Sequence, residues 1–111
     1  MLWLRIRDLL WPILGLGNRS PSWGRVRDNF IREHPFCAVC GGSKDLVAHH
    51  IQPFHLFPDL ELDTENLITL CESKKYGINC HLFVGHLGNF RRHNKNVVSD
   101  AIALAAKLKD D

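Results

Sequence analysis

Apolar residues recur at two different periods along this chain, and the changes of period divide it into elements. Residues 1–17, MLWLRIRDLLWPILGLG, carry a helical pattern: Arg5, Asp8, Pro12 and Gly15 form one polar or small stripe, and Leu, Ile and Trp fill the rest. This predicts a helix packed on the domain, with a membrane-surface or partner-binding helix as the alternative. Pro12 ends or kinks it. GLGNRSPSW is rich in breakers and reads as a linker. Ser20 followed by Pro21 reads as an N-cap with proline at the first helical position. Trp23, Val26, Phe30 and Ile31 then fall at i, i+3, i+7 and i+8, which predicts an amphipathic helix over 21–34 closed by His34-Pro35. Arg25, Arg27 and Arg32 lie largely off the apolar stripe, as expected of a solvated face.

The period then shortens. PFCAVCGG is a turn carrying a cysteine pair, and residues 45–51 read as a strand. QPFHLFPDLELDTEN is a proline-broken loop, NLITLC a second short strand, and ESKKYGIN a polar insertion. CHLFVGHLGNF opens a short helix that Gly85 and Gly88 limit. RRHNK is basic. Residues 99–109 predict a last helix, with Ser99 as N-cap and Ile102, Leu104, Ala105 and Leu108 as its apolar face. The organisation expected is an N-terminal helix and linker over 1–19 and one domain over 20–111.

At 111 residues the chain has room for one domain with a modest core. A net charge of +2 permits a nucleic-acid partner without arguing for one. Arg5, Arg7 and Asp8 interrupt the apolar start, so no uninterrupted run of secretory or membrane-spanning length is present, and no small-residue cleavage site follows. The expectation is a cytoplasmic chain with no membrane span. In that compartment CxxC spacing more often binds metal than forms disulfides.

The four cysteines are Cys37, Cys40, Cys71 and Cys80. Four thiolates suit a closed, tetrahedral, structural Zn2+ site that clamps the segment before the first strand to the segment after the second. Buried free thiols or redox chemistry are the alternatives. Between the pairs lies LVAHHIQPFH, with two histidines side by side in a β-like run. Successive side chains on a strand point to opposite faces, so His49 and His50 cannot do the same job unless the backbone bends.

AHHIQP, ENLITLC and CH, in that order and enclosed by the cysteine frame, resemble the HNH endonuclease family over about residues 36–90. The resemblance implies an α+β domain with a ββα-metal core, flanked here by N- and C-terminal helices. By position, His50 matches the general base and His49 the residue that binds a single catalytic divalent metal. Asn66 matches the middle residue of the family name, holding the strand that carries His50. His81 matches a second metal ligand. A third ligand, where relatives have one, stands four residues after His81; here that position is Gly85. His86 is one further on, about 140° round an ideal helix from His81, and reachable only if the helix is distorted near Gly85. His55 reads as a loop histidine, and His93 as a contact to phosphate or solvent. Arg91, Arg92 and Lys95 are the first candidates for DNA contact.

Two departures from the family pattern matter. Many relatives carry Asp-His where this chain has His-His, and a nitrogen-rich donor set moves preference from Mg2+ toward Mn2+, Ni2+ or Zn2+. The insertion before Cys80 presents Lys74, Lys75 and Tyr76, either to DNA or as a tolerated surface loop. The activity implied is phosphodiester hydrolysis in DNA. The alternatives are a catalytically silent, zinc-stabilised DNA-binding module, or a nuclease subunit active only with a protein partner that residues 1–17 dock. A phage packaging partner enters by analogy alone.

Overall fold

The computed structural model describes residues 18–110. The expected helix over 1–17 and its docking role lie outside the described residues. The elements are helix α1 (Trp23–Glu33), strands β1 (Leu46–His50) and β2 (Leu67–Cys71), a π-helical turn (His81–Gly85) and helix α2 (Val97–Asp110). Two short 3-10 turns, Pro58–Leu60 and Thr64–Asn66, interrupt the loop between the strands. The α+β reading holds.

Helix α1 begins later than its pattern predicts. Ser22, not Ser20, stands at the N-cap position, and Pro21 lies in the turn before it. The Ser20 hydroxyl accepts from the Ser22 amide at 3.1 Å, two residues ahead of the position that starts the helix. Val26 and Phe30 are buried against Leu62 and Leu67, with Trp23 and Ala48 at the edge of the same cluster. The His34 amide closes the helix on the Phe30 carbonyl at 2.8 Å, ahead of Pro35.

The strands pair antiparallel, Leu46 opposite Cys71 through to His50 opposite Leu67. Their alternation sorts side chains to two sides. Ala48 and Leu67 pack toward α1. Val47, Ile68 and Leu70 pack into a second cluster with Cys37, Cys71, Cys80, Val84, Val97 and Ala101. Three of the four cysteines are therefore core residues, and whatever binds them bears on the stability of the domain.

Helix α2 starts at Val97, ahead of the expected residue 99. Ser99 is no cap: its hydroxyl donates back to the Asn96 carbonyl at 3.1 Å from within the first turn. Nor does Ile102 face the core; it is 67% exposed. The buried stripe is Val97 and Ala101, continued by Leu104 and Leu108. The earlier start is fixed by buried Asn94, whose Oδ1 accepts from the Asn96 amide at 2.9 Å. Its Nδ2 donates to the Val84 carbonyl at 2.8 Å and to Asp100 at 2.9 Å. One amide thus ties the π turn to the start of α2. No helix among the described residues is long and apolar enough to cross a membrane.

Asn94→Ala leaves a buried carbonyl and a backbone amide without partners. It should destabilise the domain by about 2 kcal/mol, read as a lower denaturant midpoint at unchanged slope.

Candidate active site

The π turn is the element on which the site depends. It carries His81 at its first position and ends at Gly85, next to His86. A π turn closes a wider loop of backbone than an α-helical turn. The expected 140° separation is gone: the Nε2 atoms of His81 and His86 stand 3.2 Å apart. His49 reaches the pair from β1, its ring centroid 5.1 Å from that of His81 and 4.8 Å from that of His86. One donor nitrogen from each of the three rings lies within 4.8 Å of the others.

Gly85 makes room for this. A Cβ there would stand 3.1 Å from His49 Cε1 and 3.2 Å from Leu70 Cδ1. Its sequence role as a helix stop was legible; its role as the space into which His49 packs was not.

Second contacts set the direction of the lone pairs. His81 Nδ1 donates to the Glu72 carboxylate at 3.0 Å. His86 Nδ1 donates to the Arg92 carbonyl at 2.8 Å. Each neutral ring then presents a bare Nε2, and the two lone pairs confront each other. His49 Nε2 is buried with no hydrogen-bond partner. Two nitrogens each about 2.1 Å from a tetrahedral ion would be about 3.4 Å apart, close to the 3.2 Å found. The donor set fits a cation. Burial, helped by the neighbouring His81 and His86, pushes His49 down to about 3. Burial also holds His81 below the usual imidazole range. Both rings stay neutral near pH 7, as ligation requires. Three ligands leave a coordination position open.

His50 leaves β1 on the other face. Its ring packs against Trp23 with centroids 4.5 Å apart, and its Nε2 donates to the Glu61 carbonyl at 2.9 Å. The second nitrogen, Nδ1, therefore carries the lone pair. Burial lowers its pKa, with the charge of Arg19 acting in the same direction. Asn66 braces the loop that leaves β1: its Oδ1 accepts from the Gln52 amide at 2.8 Å and its Nδ2 donates to the Gln52 carbonyl at 3.1 Å.

Both histidines border one cleft of about 490 Å³, whose walls include His81, His86, Phe90 and Arg19. Arg91 and Arg92 also line it, whereas Lys95 is exposed outside the lining. His55 and His93 line it too, and His93 Nε2 is buried without a partner rather than solvated. Sequence reasoning missed Arg19, Glu61 and Glu72. None sits in a recognisable spacing: Arg19 and Glu61 meet across distant segments, and Glu72 meets His81 across the insertion.

The four cysteines converge as expected, with all sulfurs within 4.8 Å of one another. Cys40 Sγ is 3.4 Å from Cys71 Sγ; sulfurs about 2.3 Å from a tetrahedral ion would be about 3.8 Å apart. The amides of Val39 and Gly42 point at Cys37 and Cys40 sulfur, each at 3.4 Å. Burial pushes the Cys80 thiol up. Burial acts the same way on Cys71, but hydrogen bonds from the hydroxyl and amide of Ser73, with those from Cys40 and Cys80, bring that thiol down to about 7. The cluster fits a zinc site. Within the insertion, Tyr76 lies beside the cysteine cluster, near Cys37 and Cys40, whereas Glu72 at its start reaches His81.

The arrangement is that of a two-strand scaffold with one closed thiolate cluster and one open imidazole cluster, each able to hold a metal ion. Residues 37–82 match the family described as HNH endonuclease, and this segment of the chain is of the HNH type. The match ends before His86 and begins after Arg19. Comparison with curated proteins and with solved structures found no match.

Gly85→Ala forces His49 or Leu70 aside. Cobalt titration of the variant should show at least tenfold weaker binding at the histidine cluster, with the thiolate absorption of the cysteine cluster unchanged. Cys80→Ser opens the closed cluster inside the core. It should lose bound metal and cooperative melting together, since a structural site of this kind contributes on the order of 10 kcal/mol.

Proposed function

We propose that this protein is a metal-dependent endonuclease that hydrolyses DNA phosphodiester bonds. His50 acts as general base, and His49, His81 and His86 hold one divalent cation. The observation that carries this reading is the division of labour on β1. His50 has Nε2 committed to the Glu61 carbonyl and Nδ1 left as the acceptor, with only Arg19 Nη1 facing it at a long 3.5 Å, at the edge of a cleft whose other wall holds three converging imidazoles. A structural role for the histidines would leave His50 without a reason to border the cleft.

A DNA phosphate enters the cleft, and Arg91 and Arg92 engage the backbone without reading bases. His50 Nδ1 takes a proton from water as the water oxygen bonds to phosphorus. The bond from phosphorus to the 3′-oxygen breaks, which leaves a 5′-phosphate and, once that oxygen is protonated from solvent, a 3′-hydroxyl. Asn66 is a positioning residue: its amide fixes the backbone just after His50. Glu72 holds the His81 ring. A divalent cation at the three imidazoles would supply positive charge beside the phosphate and the departing oxygen. The nitrogen-rich set favours Mn2+, Ni2+ or Zn2+ over Mg2+. The four cysteines hold a structural Zn2+.

Purified protein is incubated with supercoiled plasmid under chelation and with each cation in turn, beside His50→Ala. Wild type should nick only with metal, and the variant should be slower by about 10³-fold while retaining zinc and DNA binding. Folded, zinc-loaded wild type that cuts under no condition would leave a DNA-binding module as the better account.

A further inference from the structure

Arg19 stands apart from the basic residues that the motif accounts for. It precedes the family-matched segment, in the linker ahead of α1. Its guanidinium lies over two aromatic rings, 4.5 Å from the Phe54 centroid and 5.2 Å from that of Trp23. Trp23 is the same ring that packs on His50. Arg19 Nη1 is 3.5 Å from Glu61 Oε2 and 3.5 Å from His50 Nδ1. We infer that Arg19 contacts the scissile phosphate from the His50 side of the cleft, with Glu61 as the buried group that holds it there.

The inference rests on the nuclease reading for the identity of the phosphate; the geometry supplies the rest. Glu61 is 3% exposed, and its Oε1 accepts from the Ser20 amide at 2.9 Å. That bond fixes the backbone beside Arg19 as well as the side chain. Both described polar contacts of Arg19 run through one nitrogen, and both are long. A guanidinium carries five N–H donors in a planar fork suited to phosphate. The side chain is 49% exposed and lines the cleft, so a phosphate can reach the donors that Glu61 leaves. An oxygen bound there stands beside the atom that receives the proton of the attacking water, which is the placement the reaction needs.

A surface ion pair would explain little of this. A half-exposed arginine paired through one long contact contributes almost nothing to stability, and a lysine would serve as well. A phosphate fork is specific to arginine.

The test uses Arg19→Ala and Arg19→Lys, each alone and combined with His50→Ala, after zinc content and melting have been matched to wild type. On a 30-base-pair duplex with Mn2+, Arg19→Ala should lower kcat/KM by about 100-fold, and Arg19→Lys should restore only part of it. In the His50→Ala background, which binds without cutting, duplex affinity is measured against salt by anisotropy. Loss of one phosphate contact should reduce the slope of log K on log salt by about 0.9. An unchanged slope overturns the inference even if cleavage falls, because Arg19 would then act only through its neighbours. Cleavage at the wild-type rate overturns it as well. Wild type that cuts nothing fails the nuclease reading alone, and the salt slope still decides whether Arg19 meets a phosphate.

Discussion

Neighbouring side chains on a strand leave the backbone on opposite faces, and the site depends on that constraint. His49 and His50 are consecutive on β1, yet one meets the π turn and the other meets α1. A single strand thus feeds two chemical environments. On one face three imidazoles converge, two of them steered by Glu72 and the Arg92 carbonyl; on the other a single imidazole is packed by an indole and bonded to a carbonyl. The strand is five residues long and has one partner. Its register is held by what flanks it: Asn66 at the His50 end, and at the other end Leu46 paired with Cys71 of the thiolate cluster.

The two clusters differ in kind because their surroundings differ. The cysteine cluster is built into the larger core, with Leu70, Val84 and Val97 around it. Four soft donors, three of them buried, suit it to staple a domain whose apolar core is small. The histidine cluster opens on a cleft. Its three rings come from β1, from the start of the π turn and from just after it, so its geometry follows from how β1 and the turn pack. The π turn is what brings residues 81 and 86 together, and Gly85 is what lets β1 approach them.

Much of this was legible in the residues. The cysteine frame, the histidine pair, Asn66 and His81 form an ordered pattern, and the structure brings them to the expected neighbourhoods. The strands were found within one residue because their apolar runs are short and bounded by turns. The helix starts were less legible. Ser20 and Ser99 are good caps by type, but the Ser22 carbonyl, which accepts from the Val26 amide, and the Asn94 side-chain oxygen, which accepts from the Asn96 amide, set the starts instead. Ile102 is apolar by type, but the stripe that meets the core runs through Val97 and Ala101, which leaves Ile102 on the exposed side. His86 could be offered only on condition of a distorted helix, since a π turn has no marker in composition. Arg19 and Glu61 were illegible because their partnership spans α1 and β1 and no motif contains either.

The second contacts of the imidazoles also differ in what can change them. His81 is steered by a side chain, Glu72. His50 and His86 are steered by main-chain carbonyls, those of Glu61 and Arg92. A carbonyl is common to every amino acid. Substitution at 61 or 92 can therefore alter charge in the cleft without erasing the acceptor that selects the tautomer. For two of the four rings, proton placement is inherited from the path of the chain. Drift at those positions can retune the electrostatics of the cleft while the direction of each lone pair is conserved, and only at Glu72 can a single codon change both.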